Sequence, residues 1–174
     1  EDASVENMFS PLISQLDAIL GEGISTINID GIWVGSLHTF EGTKGYWVTV
    51  QSELTFSFDL TNLSEDVTSR LSISKPIGYD YKQSTEQAFY FIEDISGINP
   101  GDWILAYNGD MVIGARQWTG EIIDVPAMGS DGSDFTKGYI QAGSVPSLKI
   151  LRDGELINLE GDIPSWENNQ LYMV

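Results

Sequence analysis

The sequence predicts a mainly β protein: two small sandwich-like β units, residues 1–76 and 77–174, with one N-terminal amphipathic helix covering an open face. Three observations carry this prediction. Apolar and polar residues alternate in short runs through most of the chain, as in residues 54–60 (LTFSFDL), where Leu54, Phe56, Phe58 and Leu60 share one face. Turn pairs such as Asn108-Gly109 and Asp153-Gly154 punctuate those runs. Only one stretch, at the N-terminus, keeps helical spacing.

In chain order, Val5, Met8, Phe9, Leu12, Ile13, Leu16, Ile19 and Leu20 recur at that spacing. Pro11 is poor inside a helix but suits a first helical position with Ser10 as the cap. The expectation is therefore a short turn near residues 5–9 and a helix over residues 11–20, ended by Gly21-Glu22-Gly23. Strands follow at residues 27–30, 32–37, 46–50 and 54–60. A polar turn over residues 61–66 leads to another strand at 67–74, closed by Lys75-Pro76. Residues 77–87 form a loop carrying Tyr79 and Tyr81, and they mark the boundary between the halves.

Residues 88–92 (AFYFI) open the second half, and residues 100–123 are its centre: Pro100-Gly101-Asp102 starts a strand, and Asn108-Gly109 suits a type I′ hairpin turn. Residues 126–137 read as a Gly/Asp/Ser loop, residues 139–142 and 147–152 as strands, and Asp153-Gly154 as a turn into residues 156–159. An irregular tail packs Trp166, and residues 171–174 form a last strand. Thr43-Lys44-Gly45-Tyr46 recurs as Thr136-Lys137-Gly138-Tyr139. The echo has two readings: related β units, or an ordinary way to begin a strand after a polar turn.

The totals narrow the function. With 174 residues and 41% hydrophobic content the chain can bury a core without staples. No run reaches the ~18 apolar residues of a membrane span. The 26 acids against 8 bases give a net charge of −18, which repels nucleic-acid backbones. There is no Cys, hence no disulfide or thiol nucleophile, and the single His38 rules out multi-His zinc sites. Glu1-Asp2 does not open a signal peptide, so the N-terminus reads as a processed or trimmed end.

Residues 1–50, with EDASVENMFSPL and GIWVGSLHTFEGTKGYWVTV, resemble a repeat module of large secreted and cell-surface proteins of marine and gliding bacteria. Residues 89–151, with FYFI, GDWILAYNGDMVIGARQW, DVPAMGSDG, TKGY and PSLKIL, resemble the module that often follows it. The shared motifs are turn glycines and core aromatics. The resemblance implies a secreted, surface-associated, non-enzymatic protein and supplies no site. A G-W-N-x-I/L-S-x-x-V strand that usually precedes the first module is missing here: either the chain is trimmed, or another subunit provides the strand.

Three kinds of chemistry have candidate residues. Asp131 and Asp134 in the loop GSDGSD, with Asp124 nearby, have a spacing able to wrap Ca²⁺, which takes about 6–8 oxygens. The alternative is a solvated turn shaped by Asp and Gly. Trp118, Arg116, Trp103, Tyr79 and Tyr81 form a candidate glycan platform, since flat rings stack on sugar faces; core packing is the favoured reading, because a sandwich of this size needs several core aromatics, and Trp33, Trp47 and Phe89 in alternating strands are read as core. Glu93-Asp94 is the nearest approach to a glycoside-hydrolase acid pair, and a strand end meeting water explains it better. His38 lacks a nucleophile motif and reads as a surface or packing residue.

The preferred expectation is a structural or interaction module of an extracellular assembly (surface layer, filament or adhesin), built from copies of itself or with other surface proteins by β-strand addition, residues 171–174 being one suitable donor. A carbohydrate-binding module is the alternative, and a glycoside hydrolase the least favoured. No cofactor is required, and Ca²⁺ is the one ion suggested.

Overall fold

The computed structural model describes residues 3–56 and 74–174. The fold is mainly β, with three sheets and one N-terminal α-helix among the described residues. The chain divides into two compact units, residues 1–73 and 74–174.

In the first unit Ser4 caps α1 (Val5–Phe9), its hydroxyl accepting from the Asn7 amide at 3.3 Å. A 3₁₀ turn, Ser10–Gln15, follows with Pro11 in its first turn. The expected helix over residues 11–20 is thus corrected: Leu16–Leu20 is strand β1, which lies between β2 (Ser25–Ile29) and β4 (Trp47–Val50). Leu16, Ala18, Ile19 and Leu20 are all buried. A central strand covered on both faces needs no alternation, so its short apolar run mimics a helix segment.

Asp30-Gly31, both at positive φ (51° and 87°), joins β2 to β3 (Ile32–Gly35) and completes an antiparallel sheet in the order β3-β2-β1-β4. Val5, Phe9, Leu16, Ile19 and Leu37 form its core. Trp47, expected in a core, is 54% exposed. It stands on β4, the outer strand of this sheet among the described residues. Residues 53–56 are irregular. The remainder of the strand expected at 54–60, the turn at 61–66 and the strand at 67–74 up to Ile73 lie outside the described residues.

The second unit stacks two sheets. One has the order β10-β9-β6-β7, from β6 (Trp103–Asn108), β7 (Met111–Gln117), β9 (Ser147–Arg152) and β10 (Glu155–Asn158). The other has the order β11-β5-β8, from β5 (Gln87–Ile92), β8 (Ile123–Met128) and β11 (Leu171–Met173). Tyr90, Leu105, Ile113, Val125, Ile140, Leu148 and Trp166 share one core. The Trp166 indole N–H donates to the Ala127 carbonyl at 2.9 Å, which satisfies the one polar atom of a buried ring.

The β6–β7 hairpin forms where expected, with a different turn. Asn108 pairs with Met111, so the loop is Gly109-Asp110, and only Gly109 has positive φ (60°). That is the arrangement of a type II′ turn, in place of the predicted type I′ turn. Pairing then jumps from Tyr107–Val112 to Ala106–Gly114, leaving Ile113 as a bulged residue. Residues 126–128, expected in a loop, belong to β8; Pro126 is accommodated because β8 is an outer strand of its sheet among the described residues. The strand expected at 139–142 is reduced to one bridge between Ile140 and Gly129. The two Thr-Lys-Gly-Tyr segments also differ: Gly138 has φ 88°, whereas Gly45 lies outside the left-handed region.

Candidate functional site

The side chains nominated from sequence are not gathered at one accessible face. Trp118 is only 5% exposed and belongs to the core of the second unit. Its backbone N–H donates to the Asp102 carbonyl, and its carbonyl accepts from Gly101. Tyr81 is likewise buried, which pushes its hydroxyl up from the ordinary phenol range while the Arg116 charge pulls the other way. Lys75 lies over its ring, 3.8 Å from the centroid. Trp103 and Tyr79 are half-buried against the same core.

Arg116 faces inward. Its Nε donates to the Asp124 carbonyl at 2.8 Å, and its guanidinium pairs with the Asp124 carboxylate at 3.1 Å. Asp124 is 0% exposed, so this carboxylate is committed to an internal ion pair. The candidate Trp118–Arg116 glycan face is thus not presented to solvent: the ring packs in the core, as the favoured reading has it, and the guanidinium turns toward β8.

Asp131 and Asp134 part company as well. The Asp131 carboxylate accepts from the Thr136 hydroxyl at 2.6 Å and the Ser133 amide at 3.0 Å, and these bonds hold its pKa well below the usual carboxylate range. Asp134 is exposed at the start of a 3₁₀ turn, Asp134–Thr136. Among the described residues no three His, Cys, Asp or Glu side chains converge as a metal site. Asp131 thus acts as a loop clasp. Asp131→Ala is expected to lower the melting temperature by the same amount with and without CaCl₂. Its depressed folded-state pKa gives stability that is full above the unfolded value of ~3.9 and is lost as pH falls toward the folded value. The gap between wild type and variant should therefore close in acid, as thermal melts across a pH series would record.

Glu93, Asp94 and His38 are exposed. They stand on no common element: Glu93 and Asp94 follow β5, and His38 lies beyond β3, where its carbonyl accepts from Val5.

What the second unit does present is a sheet edge. β10 is the outer strand of its four-stranded sheet among the described residues, and all four of its residues are exposed. Leu156 and Ile157, on opposite faces, are 43% and 45% exposed. The register with β9 settles where the main-chain groups point. Glu155 faces Arg152 across the Asp153-Gly154 turn, Ile157 faces Ile150, and the Leu159 N–H bonds the Leu148 carbonyl at 2.9 Å. Antiparallel alternation makes these the hydrogen-bonded pairs and turns the N–H and C=O of Leu156 and Asn158 away from β9. Beyond the end of β10, Leu148, Leu159 and Ile163 with Glu160 and Asp162 line an open groove of about 640 Å³.

Sequence reading located the Asp153-Gly154 turn, but the edge position of β10 follows from sheet order, which no local motif encodes. The C-terminal strand named as a donor is occupied within its own chain: β11 pairs in parallel with β5, and Tyr172 stacks on Tyr90 with centroids 5.0 Å apart. No helix among the described residues is long and apolar enough to cross a membrane. Comparison with protein families, with curated proteins and with solved structures finds no match to the chain.

Proposed function

We propose that this protein is a structural, non-enzymatic interaction module of an extracellular assembly, such as a surface layer, filament or adhesin, joined to its neighbours by β-strand addition. The observation that carries the reading is the β10 edge, whose outward main-chain groups at Leu156 and Asn158 stand beside the exposed apolar side chains of Leu156 and Ile157. Natural sheets blunt such an edge by keeping it short or by placing charges, proline or a bulge on it. β10 is short and carries one charge, Glu155 at its turn end; Leu156, Ile157 and Asn158 continue in unbroken register without charge, proline or bulge. The acidic, cysteine-free composition and the resemblance of both halves to modules of secreted surface proteins support the extracellular setting.

Sedimentation velocity and electron microscopy of the purified chain test this reading. Species larger than the monomer should grow with concentration, and Ile157→Lys, which places a charge on the edge, should shift them back toward monomer. A strict monomer at high concentration, with and without Ca²⁺, would count against it.

A further inference from the structure

We infer that the β10 edge pairs with the β10 edge of a second copy, antiparallel about a two-fold axis through Ile157; this rests on the assembly reading above and names its partner. The inference comes from the register. An added strand must match outward-pointing residues with outward-pointing residues, and on β10 those are Leu156 and Asn158. Among antiparallel self-pairings only one uses both: Leu156 opposite Asn158 of the second copy, and Asn158 opposite its Leu156. Centring the pairing on Leu156 would set Asn158 against Gly154, which has φ 84° and belongs to the turn. Centring it on Asn158 would set Leu156 against Glu160, beyond the end of the strand.

In the register that uses the whole strand, Ile157 meets its own counterpart as a non-hydrogen-bonded pair, the position where side chains approach closest. A residue 45% exposed on the single chain is thereby covered by an identical apolar side chain on the same face. The four-stranded sheet continues into its copy, and the contact is isologous, so it closes at a dimer. Growth beyond the dimer requires a second contact elsewhere on the chain.

Charge sets the conditions. The same register brings Asp153 of one copy beside Glu160 and Gly161 of the other at both ends of the edge, and the chain carries a net charge of −18. Like charges at close range weaken the pair at low salt and are screened at high salt. A four-residue edge also buries far less than the ~1,200 Å² of a standard stable interface, so the dimer is short-lived and is best read by trapping.

The chain has no cysteine, so one introduced thiol reports one position. Ile157→Cys, Leu156→Cys and Asn158→Cys would each be made in the full chain, checked by melting temperature when reduced, and exposed to oxidised glutathione at low and high NaCl. Across the axis the Cα atoms at 157 would lie about 4.5 Å apart, within disulfide reach, while those at 156 or 158 would face their own counterparts at roughly 8 Å, beyond it. Leu156 and Ile157 are almost equally exposed, so random collision favours neither. The expected result is covalent dimer from Ile157→Cys several-fold faster than from the other two, faster still at high salt. Equal rates for all three, in a protein whose wild type self-associates in sedimentation, would overturn the two-fold pairing and leave the assembly reading standing. A wild type that stays monomeric at every concentration, together with equal rates, would overturn both.

Discussion

Gly114→Ala is expected to destabilise the second unit more than alanine at any other of its glycines. A Cβ at Gly114 would lie 1.6 Å from the Pro126 carbonyl oxygen and 2.6 Å from its carbon. Both obstacles are backbone, so no side chain can rotate out of the way. The glycine is needed for space: its φ lies outside the left-handed range, unlike that of Gly109 or Gly154. β7 and β8 belong to different sheets, and at Gly114 the backbone of one passes directly over the carbonyl of the other.

Separating the strands would disturb Ile113 and Ala115 on one side and Val125 and Ala127 on the other, all fully buried. Overpacking ordinarily costs ~1–3 kcal/mol, and a clash with fixed backbone should reach or exceed the top of that range. Denaturant melts of Gly114→Ala against Gly45→Ala would measure it. An added methyl at Gly45 meets nothing within 4 Å, so that variant should melt with the wild type. Equal midpoints for the two would show that β7 and β8 can move apart at little cost.

That contact also shows where sequence reasoning stops. The β class, the central hairpin, the Asp153-Gly154 turn and the burial of Trp166 follow from local signals: alternation, turn pairs and aromatic content. Leu16–Leu20 mimics a helix because a strand covered on both faces carries no alternation, and its leucines and isoleucine continue the spacing of the preceding helix. The Gly/Asp/Ser composition of residues 126–137 signals a loop, but residues 126–128 extend β8, where an outer strand tolerates Pro126. Gly114 looked like one glycine among 18, since the atom it spares lies on another strand. The candidate site was less legible for the same reason. Nothing local to Trp118 and Arg116 separates a glycan platform from core packing; sheet stacking decides it by burying the ring and turning the guanidinium toward Asp124. The β10 edge depends on which strand ends up outermost, a property of the whole sheet.

Arg116→Met is the companion prediction, and it distinguishes a ligand-binding arginine from a structural one. Arg116 and Asp124 sit on β7 and β8, the same two strands that cross at Gly114, and their guanidinium–carboxylate contact is mostly or wholly out of water. Removing the guanidinium strands a fully buried carboxylate without its counter-charge, which in comparable sites costs about 3–5 kcal/mol. Arg116→Lys should recover only part of this, because an ammonium cannot span the Asp124 carbonyl and carboxylate as the guanidinium does. The double variant Arg116→Met/Asp124→Leu should recover more than Arg116→Lys, since replacing a buried pair by apolar side chains of similar volume is often near neutral. A double-mutant cycle on unfolding free energy therefore has a predicted sign: the pair of substitutions costs less than their sum. Strict additivity, or a single variant as stable as wild type, would mean that Arg116 and Asp124 do not hold each other, and would return the arginine to the pool of groups free to meet a ligand.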